Sequence, residues 1–79
     1  MKIKVLGSGC TNCHKLHEET LKAVKETGKD IEVEYITDIK VMLGYGIISG
    51  PALMFDDKVI SQGRVLKAKE IETLIEKAV

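Results

Sequence analysis

Apolar and polar positions alternate from Lys2 to Leu6, with Ile3 and Val5 set against Lys2 and Lys4, which is the period of a strand. Gly7-Ser8-Gly9 breaks it. From Cys13 the period changes: Leu16, Thr20, Leu21, Ala23, Val24 and Thr27 recur at helical spacing, while Lys15, Glu18, Glu19, Lys22 and Glu26 fill the other face. Glu18 and Lys22, with the acid first, form a favourable pair one turn apart, and Gly28 supplies the helix stop. Ile31 to Ile36 alternates again, Ile31, Val33 and Tyr35 against Glu32 and Glu34, as in a strand with one face partly wet. Thr37 or Asp38 can cap a short helix running toward Gly44, after which Gly46 and Gly50-Pro51 enforce irregular backbone. Ala52 to Phe55 and Lys58 to Gln62 are short apolar runs separated by Asp56-Asp57, a tight hairpin whose turn signal is weaker than Asp-Gly. Beyond Gly63, the positions Ile71, Leu74, Ile75 and Ala78 mark a closing helix with no evident cap.

The order is β-α-β-α-β-β-α. The first βαβ unit is expected to be parallel with a right-handed crossover, and the hairpin adds antiparallel strands, giving a mixed four-stranded sheet covered by helices on both faces. Lys2 and Lys4 then fall in a central strand, which requires the short second helix to leave part of one face open.

Seventy-nine residues make one domain, residues 1–79, which hides only about 60% of its unfolded surface and has no room for a large active-site cavern. Lys plus Arg and Asp plus Glu number 12 each, so the net charge is zero and the electrostatic footprint of a nucleic-acid binder is missing. The apolar runs are too short for a membrane span, and Met1-Lys2-Ile3-Lys4 lacks the apolar stretch of a signal peptide; the expected location is the cytoplasm. Hydrophobic content of 44% with 30% charged residues fits a soluble globular domain rather than a disordered chain.

The two cysteines are Cys10 and Cys13. A link across four residues restrains the unfolded chain by only about 2 kcal/mol, so the pair is badly placed as a staple and its value lies in chemistry. Cys10 falls where the first strand has ended and the helix begins, so the free N–H groups of the first turn point at its sulfur and lower its pKa. Cys13 lies one turn on, beneath Cys10 in a more apolar setting, as the less exposed thiol. In exchange chemistry Cys10 attacks a partner disulfide and Cys13 resolves the mixed disulfide. His14 and His17 would favour a nearby thiolate if protonated, though ordinary solvated helix residues are the simpler reading. Pro51, just before a strand, is either a cis-proline kept for a reason or a simple loop rigidifier.

Gly9-Cys10-Thr11-Asn12-Cys13 after a first strand, Gly50-Pro51-Ala52-Leu53 opening the third, then a hairpin, Gly63 and a closing helix carry a resemblance over the whole chain. The chain resembles the small thioredoxin-like, glutaredoxin-sized redox-active disulfide proteins. The resemblance implies a thioredoxin fold in which Cys10 attacks, Cys13 resolves and Pro51 is the cis-proline facing the disulfide. It also implies a backbone beside the proline that pairs with an extended substrate. The sequence departs from the better-known pattern at Gly9, where an aromatic residue is common, and at Gly50, where Thr or an aliphatic residue is more familiar. Gly50 removes side-chain contact with a substrate and loosens the loop. No glutathione-binding set is evident. The function implied is thiol-disulfide oxidoreductase, acting on protein disulfides or small thiols, served by an unidentified reductase, as a monomer and with no added cofactor or metal.

Three rivals use the same residues. A soft-metal (copper-type) chaperone would hold Cu(I) between the two thiolates, but heavy-metal-associated domains run β-α-β-β-α-β, and Ser8 stands where they carry Met. Cys10-Thr11-Asn12-Cys13-His14 matches the c-type haem string, with Met42 and Met54 the only axial candidates and both more simply core. A zinc site built from Cys10, Cys13, His14 and His17 is too local. A redox-regulated binding module without turnover also fits. Tyr35 reads as packing, Tyr45 as packing in the loop leading to Pro51, Arg64 as a solvated charge and Gly63 as close packing or a bulge.

Overall fold

In a computed structural model of the chain, described for residues 1–9, 11–48 and 50–78, the elements follow the expected order. They are β1 (Lys2–Leu6), α1 (Thr11–Thr27), β2 (Glu32–Ile36), α2 (Ile39–Gly44), β3 (Ala52–Phe55), β4 (Lys58–Gln62) and α3 (Ala68–Ala78). The sheet order is β2-β1-β3-β4, with β1 parallel to β2, antiparallel to β3, and β3 antiparallel to β4. This is the mixed four-stranded α/β architecture that the resemblance implies. Asp38, not Thr37, caps α2, its Oδ1 accepting from the Lys40 N–H at 2.9 Å.

The two-residue period of the strands sorts the interior into two layers. Ile3 and Val5 of β1 with Leu53 and Phe55 of β3 pack under Leu16 and Ala23 of α1 and Ile71 and Ile75 of α3. Leu6, Ala52 and Met54 face the other way, against Met42 of α2 and Ile47. Lys4 pairs with Met54 in register, which places its side chain on the α2 side of a central strand. Its Nζ donates to Tyr45 Oη at 2.9 Å, lies 4.9 Å from that ring's centroid and 4.0 Å from Asp57. Only 13% of the Lys4 side chain is exposed. Tyr45, just past the end of α2, thus covers part of what the short helix leaves open, and its hydroxyl holds the Lys4 pKa above the ordinary value.

Two details of the helical surface differ from the sequence expectation. Lys22 pairs with Glu19 at 3.2 Å rather than with Glu18, because Glu19 is already drawn toward α3. Its Oε1 accepts from the Ala68 N–H at 3.1 Å, so the missing cap of α3 is a side chain of α1, 49 positions away. That bond, reinforced by Lys22, lowers the Glu19 pKa. A depressed carboxylate stabilises the fold above its unfolded pKa, and the contribution is lost as pH falls through the lower folded value. Thermal melts of wild type and Glu19→Gln are therefore expected to differ by a few degrees in favour of wild type at pH 7 and to converge in acid.

The opposite sign holds for Glu72. It shares a hydrogen bond with Glu26 of α1 and lies near Glu76, which together raise its pKa. A raised carboxylate favours the fold below its unfolded pKa, and the benefit disappears as pH rises through the folded value. Glu72→Gln is expected to melt higher than wild type at pH 7 and no higher at pH 3.

The hairpin turn holds Asp56 at φ +55°, a region Asp tolerates better than most residues. The Asp56 N–H donates to the Lys2 carbonyl at 2.7 Å, and its Oδ1 accepts from the Lys2 N–H at 3.0 Å. The β3–β4 register slips between Leu53 and Met54, opposite Ser61 and Val59. The bulge therefore sits at Ile60 and not at Gly63.

Candidate active site

The buried face of α1 comprises Cys13, Leu16, Thr20 and Ala23, one stripe of the helix turned to the sheet. Thr20 sits in this stripe at no polar cost, since its hydroxyl donates to the Leu16 carbonyl at 2.7 Å. Cys13, third residue of α1, is fully buried and disulfide-bonded. Thr11, Asn12, His14 and Lys15 around it are exposed. Cys10, the expected attacking thiol, lies outside the described residues.

Gly7 follows β1 and extends its pairing with β2 by one bond, its N–H donating to the Ile36 carbonyl at 2.9 Å. It is buried. A Cβ placed on it would overlap Cys13 Sγ and come within 2.8 Å of Cys13 Cβ. Gly50 is a second neighbour, at which a Cβ would stand 3.3 Å from Gly7 Cα, 3.5 Å from Met42 Cε and 3.6 Å from the Leu6 carbonyl oxygen. Three segments far apart in sequence, the end of β1, the first turn of α1 and the loop before β3, meet at this point with no side chain between their backbones at Gly7 and Gly50. The Gly50–Pro51 peptide bond is cis. Pro51 is buried and its carbonyl accepts from the Gly63 N–H at 2.8 Å, with Gly63 at φ +73°, a conformation glycine adopts without strain. Gly50 is exposed.

Cys10, Cys13 and Pro51 stand out in the sequence, whereas Gly7 reads there only as a strand breaker. The same residue type serves both roles, so nothing in the chain's pattern separated them. His14 and His17 come together on one ring: His17 lies 4.6 Å from Tyr35 between centroids and His14 5.7 Å, edge-on. Arg64 remains largely exposed, 3.7 Å from Glu70. Met42 and Met54 are buried in the core under α2, so neither presents its thioether as the axial ligand that the haem string would need. A helix, α2, stands between β2 and β3, and β3 and β4 form a hairpin, so the element order is not that of the heavy-metal-associated domains.

The family described as thioredoxin domain matches residues 1–76, a span running from β1 into α3. The chain belongs to the thioredoxin domain family. Among curated proteins it is similar to a thioredoxin of Methanothermobacter thermautotrophicus, 37% identical over 75 residues, covering 95% of this chain and 97% of that protein. A thioredoxin of Methanocaldococcus jannaschii is 31% identical over 70 residues, covering 89% of this chain and 80% of the relative. Membership places the chain among thioredoxin-like redox proteins of the thiol-disulfide oxidoreductase kind. No helix among the described residues is long and apolar enough to cross a membrane.

Proposed function

We propose that the chain exchanges disulfides with protein or small-thiol partners through Cys10 and Cys13. The observation that carries this reading is the placement of Cys13: buried in the first turn of α1, disulfide-bonded, and set against the bare backbone of Gly7, which also neighbours Gly50 in the loop before β3. The first turn of α1 contains no acidic side chain among the described residues, so nothing there opposes the preference of a helix N-terminus for an anion. Cys10 thiolate attacks one sulfur of the partner disulfide, forming a Cys10–partner bond and releasing the other partner sulfur as a thiolate that takes up a proton. Cys13, deprotonated in turn, attacks the Cys10 sulfur, expels the second partner thiolate and leaves an internal disulfide. Two electrons and two protons have then passed to the partner, and a separate reductase restores the dithiol.

The exposed Gly50 backbone is the edge along which an extended partner segment pairs, a form of strand addition in which the glycine offers main chain and no side chain. Working as a monomer in the cytoplasm, the protein needs no charge steering, in keeping with equal numbers of acids and bases. Reduction of insulin by dithiothreitol tests the reading. Catalytic amounts of the protein should accelerate precipitation of the insulin chains well beyond dithiothreitol alone; an unchanged rate would speak against exchange with protein disulfides.

A further inference from the structure

The glycine at position 7 is not explained by its conformation. Gly9, Gly28, Gly46 and Gly63 have φ between +68° and +86°, but Gly7 does not lie in that region, so alanine could adopt its backbone. What alanine could not do is share the space, because its methyl would overlap the Cys13 sulfur. Two atoms cannot occupy one position, and the backbone of Gly7 is hemmed in, since even one added side-chain carbon at Gly50 would stand 3.3 Å from Gly7 Cα. The backbone at Gly50 is in turn held through Pro51, whose carbonyl is tied to Gly63.

We infer that Gly7 is a positioning residue for the exchange reaction, its bare Cα edge being the seat of the oxidised Cys13 sulfur. This rests on the exchange reading above. A sulfur in a disulfide is tethered and cannot choose its rotamer, whereas the thiol formed by reduction can turn to another staggered position. A methyl at residue 7 therefore opposes the disulfide more than the dithiol. It also opposes the approach of Cys13 to Cys10 in the resolving step, in which the Cys10–Cys13 bond forms as the Cys10–partner bond breaks and the partner leaves as a thiolate. The first attack, by Cys10 on a partner disulfide, forms no bond to Cys13 and so makes no demand on the seat of the Cys13 sulfur.

The test compares wild type, Gly7→Ala, Cys13→Gly and the Gly7→Ala/Cys13→Gly exchange. Against a glutathione redox buffer, Gly7→Ala should lower the equilibrium constant for internal disulfide formation at least about tenfold, a potential less negative by about 30 mV. In stopped-flow reaction with a disulfide substrate, attack should stay near the wild-type rate while resolution slows by a similar factor and mixed disulfide accumulates. An unchanged or more negative potential, or equal slowing of both steps, would overturn the proposal. In the Cys13→Gly background the methyl would lie 3.8 Å from the residue-13 Cα, ordinary contact. Gly7→Ala should then melt at or above Cys13→Gly alone, because alanine restricts the unfolded chain more than glycine. If it instead melts lower, by as much as Gly7→Ala costs the wild type, the seat does not exist. Should Gly7→Ala alone fail to fold, this second comparison decides the matter. A wild-type chain with no reversible disulfide would end the exchange reading, and the melts would still judge the packing separately.

Discussion

A Cys13→Ser protein mixed with a disulfide substrate is expected to stop after one half of the reaction, covalently joined to its partner through Cys10. Mass spectrometry under non-reducing conditions should find one partner thiol added per chain, released by dithiothreitol. Cys10→Ser is expected to form no adduct and to lose all acceleration of insulin reduction. The asymmetry follows from position. Cys13 is buried against Gly7, where a macromolecular disulfide has no route to its sulfur, so Cys13 can act only on a bond already delivered to its neighbour. Turnover of Cys13→Ser at the parent rate would mean that an external thiol resolves the adduct, and the second cysteine would lose its assigned role. An adduct forming equally well on Cys10→Ser would reverse the order of attack.

The second large effect concerns the helix that carries the motif. Leu16→Ala is expected to destabilise the fold by about 2–5 kcal/mol, the usual range for truncating a fully buried leucine. Leu16 is wholly inaccessible and lies one turn beyond Cys13, in the layer formed by Ile3, Val5, Leu53, Ile71 and Ile75. A chain of this length has about 4–12 kcal/mol in total, and each kcal/mol moves the melting point of so small a domain by about 4–8 °C. Leu16→Ala should therefore melt at least about 8 °C lower, and urea unfolding should show a reduced midpoint. A drop of only a few degrees would mean that α1 is seated on the sheet by something other than this stripe. Solvent-face changes such as Lys15→Ala should stay within about 0.5 kcal/mol.

The sequence displayed its period-based features well and its long-range ones poorly. β1, β3 and β4 have the limits that alternation and turn residues suggest, while β2 begins at Glu32, one residue after Ile31. Ile31 still packs against the core, which is why the pattern included it. Burial of Cys13 was legible because Cys13, Leu16, Thr20 and Ala23 share one helical stripe. The cap of α3 was not legible, because the acceptor is Glu19, a residue that reads locally as an ordinary surface acid. The partner of Lys22 was mistaken for the same reason: Glu18 has the better local spacing, and Glu19 wins because α3 fixes it in place. Lys4 in a central strand looked like a conflict and is relieved by Tyr45, which a loop delivers from forty-one positions away. For the site, Cys13 and the cis Pro51 could be anticipated, but the close approach of β1 to both could not. A glycine after a strand carries the same signal whether it ends the strand or makes room for a sulfur.

Equilibrium redox titration of the metal-free chain, with free thiols trapped by alkylation and the products weighed, tests the central claim most directly. A reversible two-electron transition is expected between a doubly alkylated dithiol and an unmodified monomer holding a Cys10–Cys13 disulfide. Its potential should fall in the range of about −180 to −270 mV occupied by exchange proteins. Thiols that remain reduced across that range, or that pair only between molecules, would contradict it.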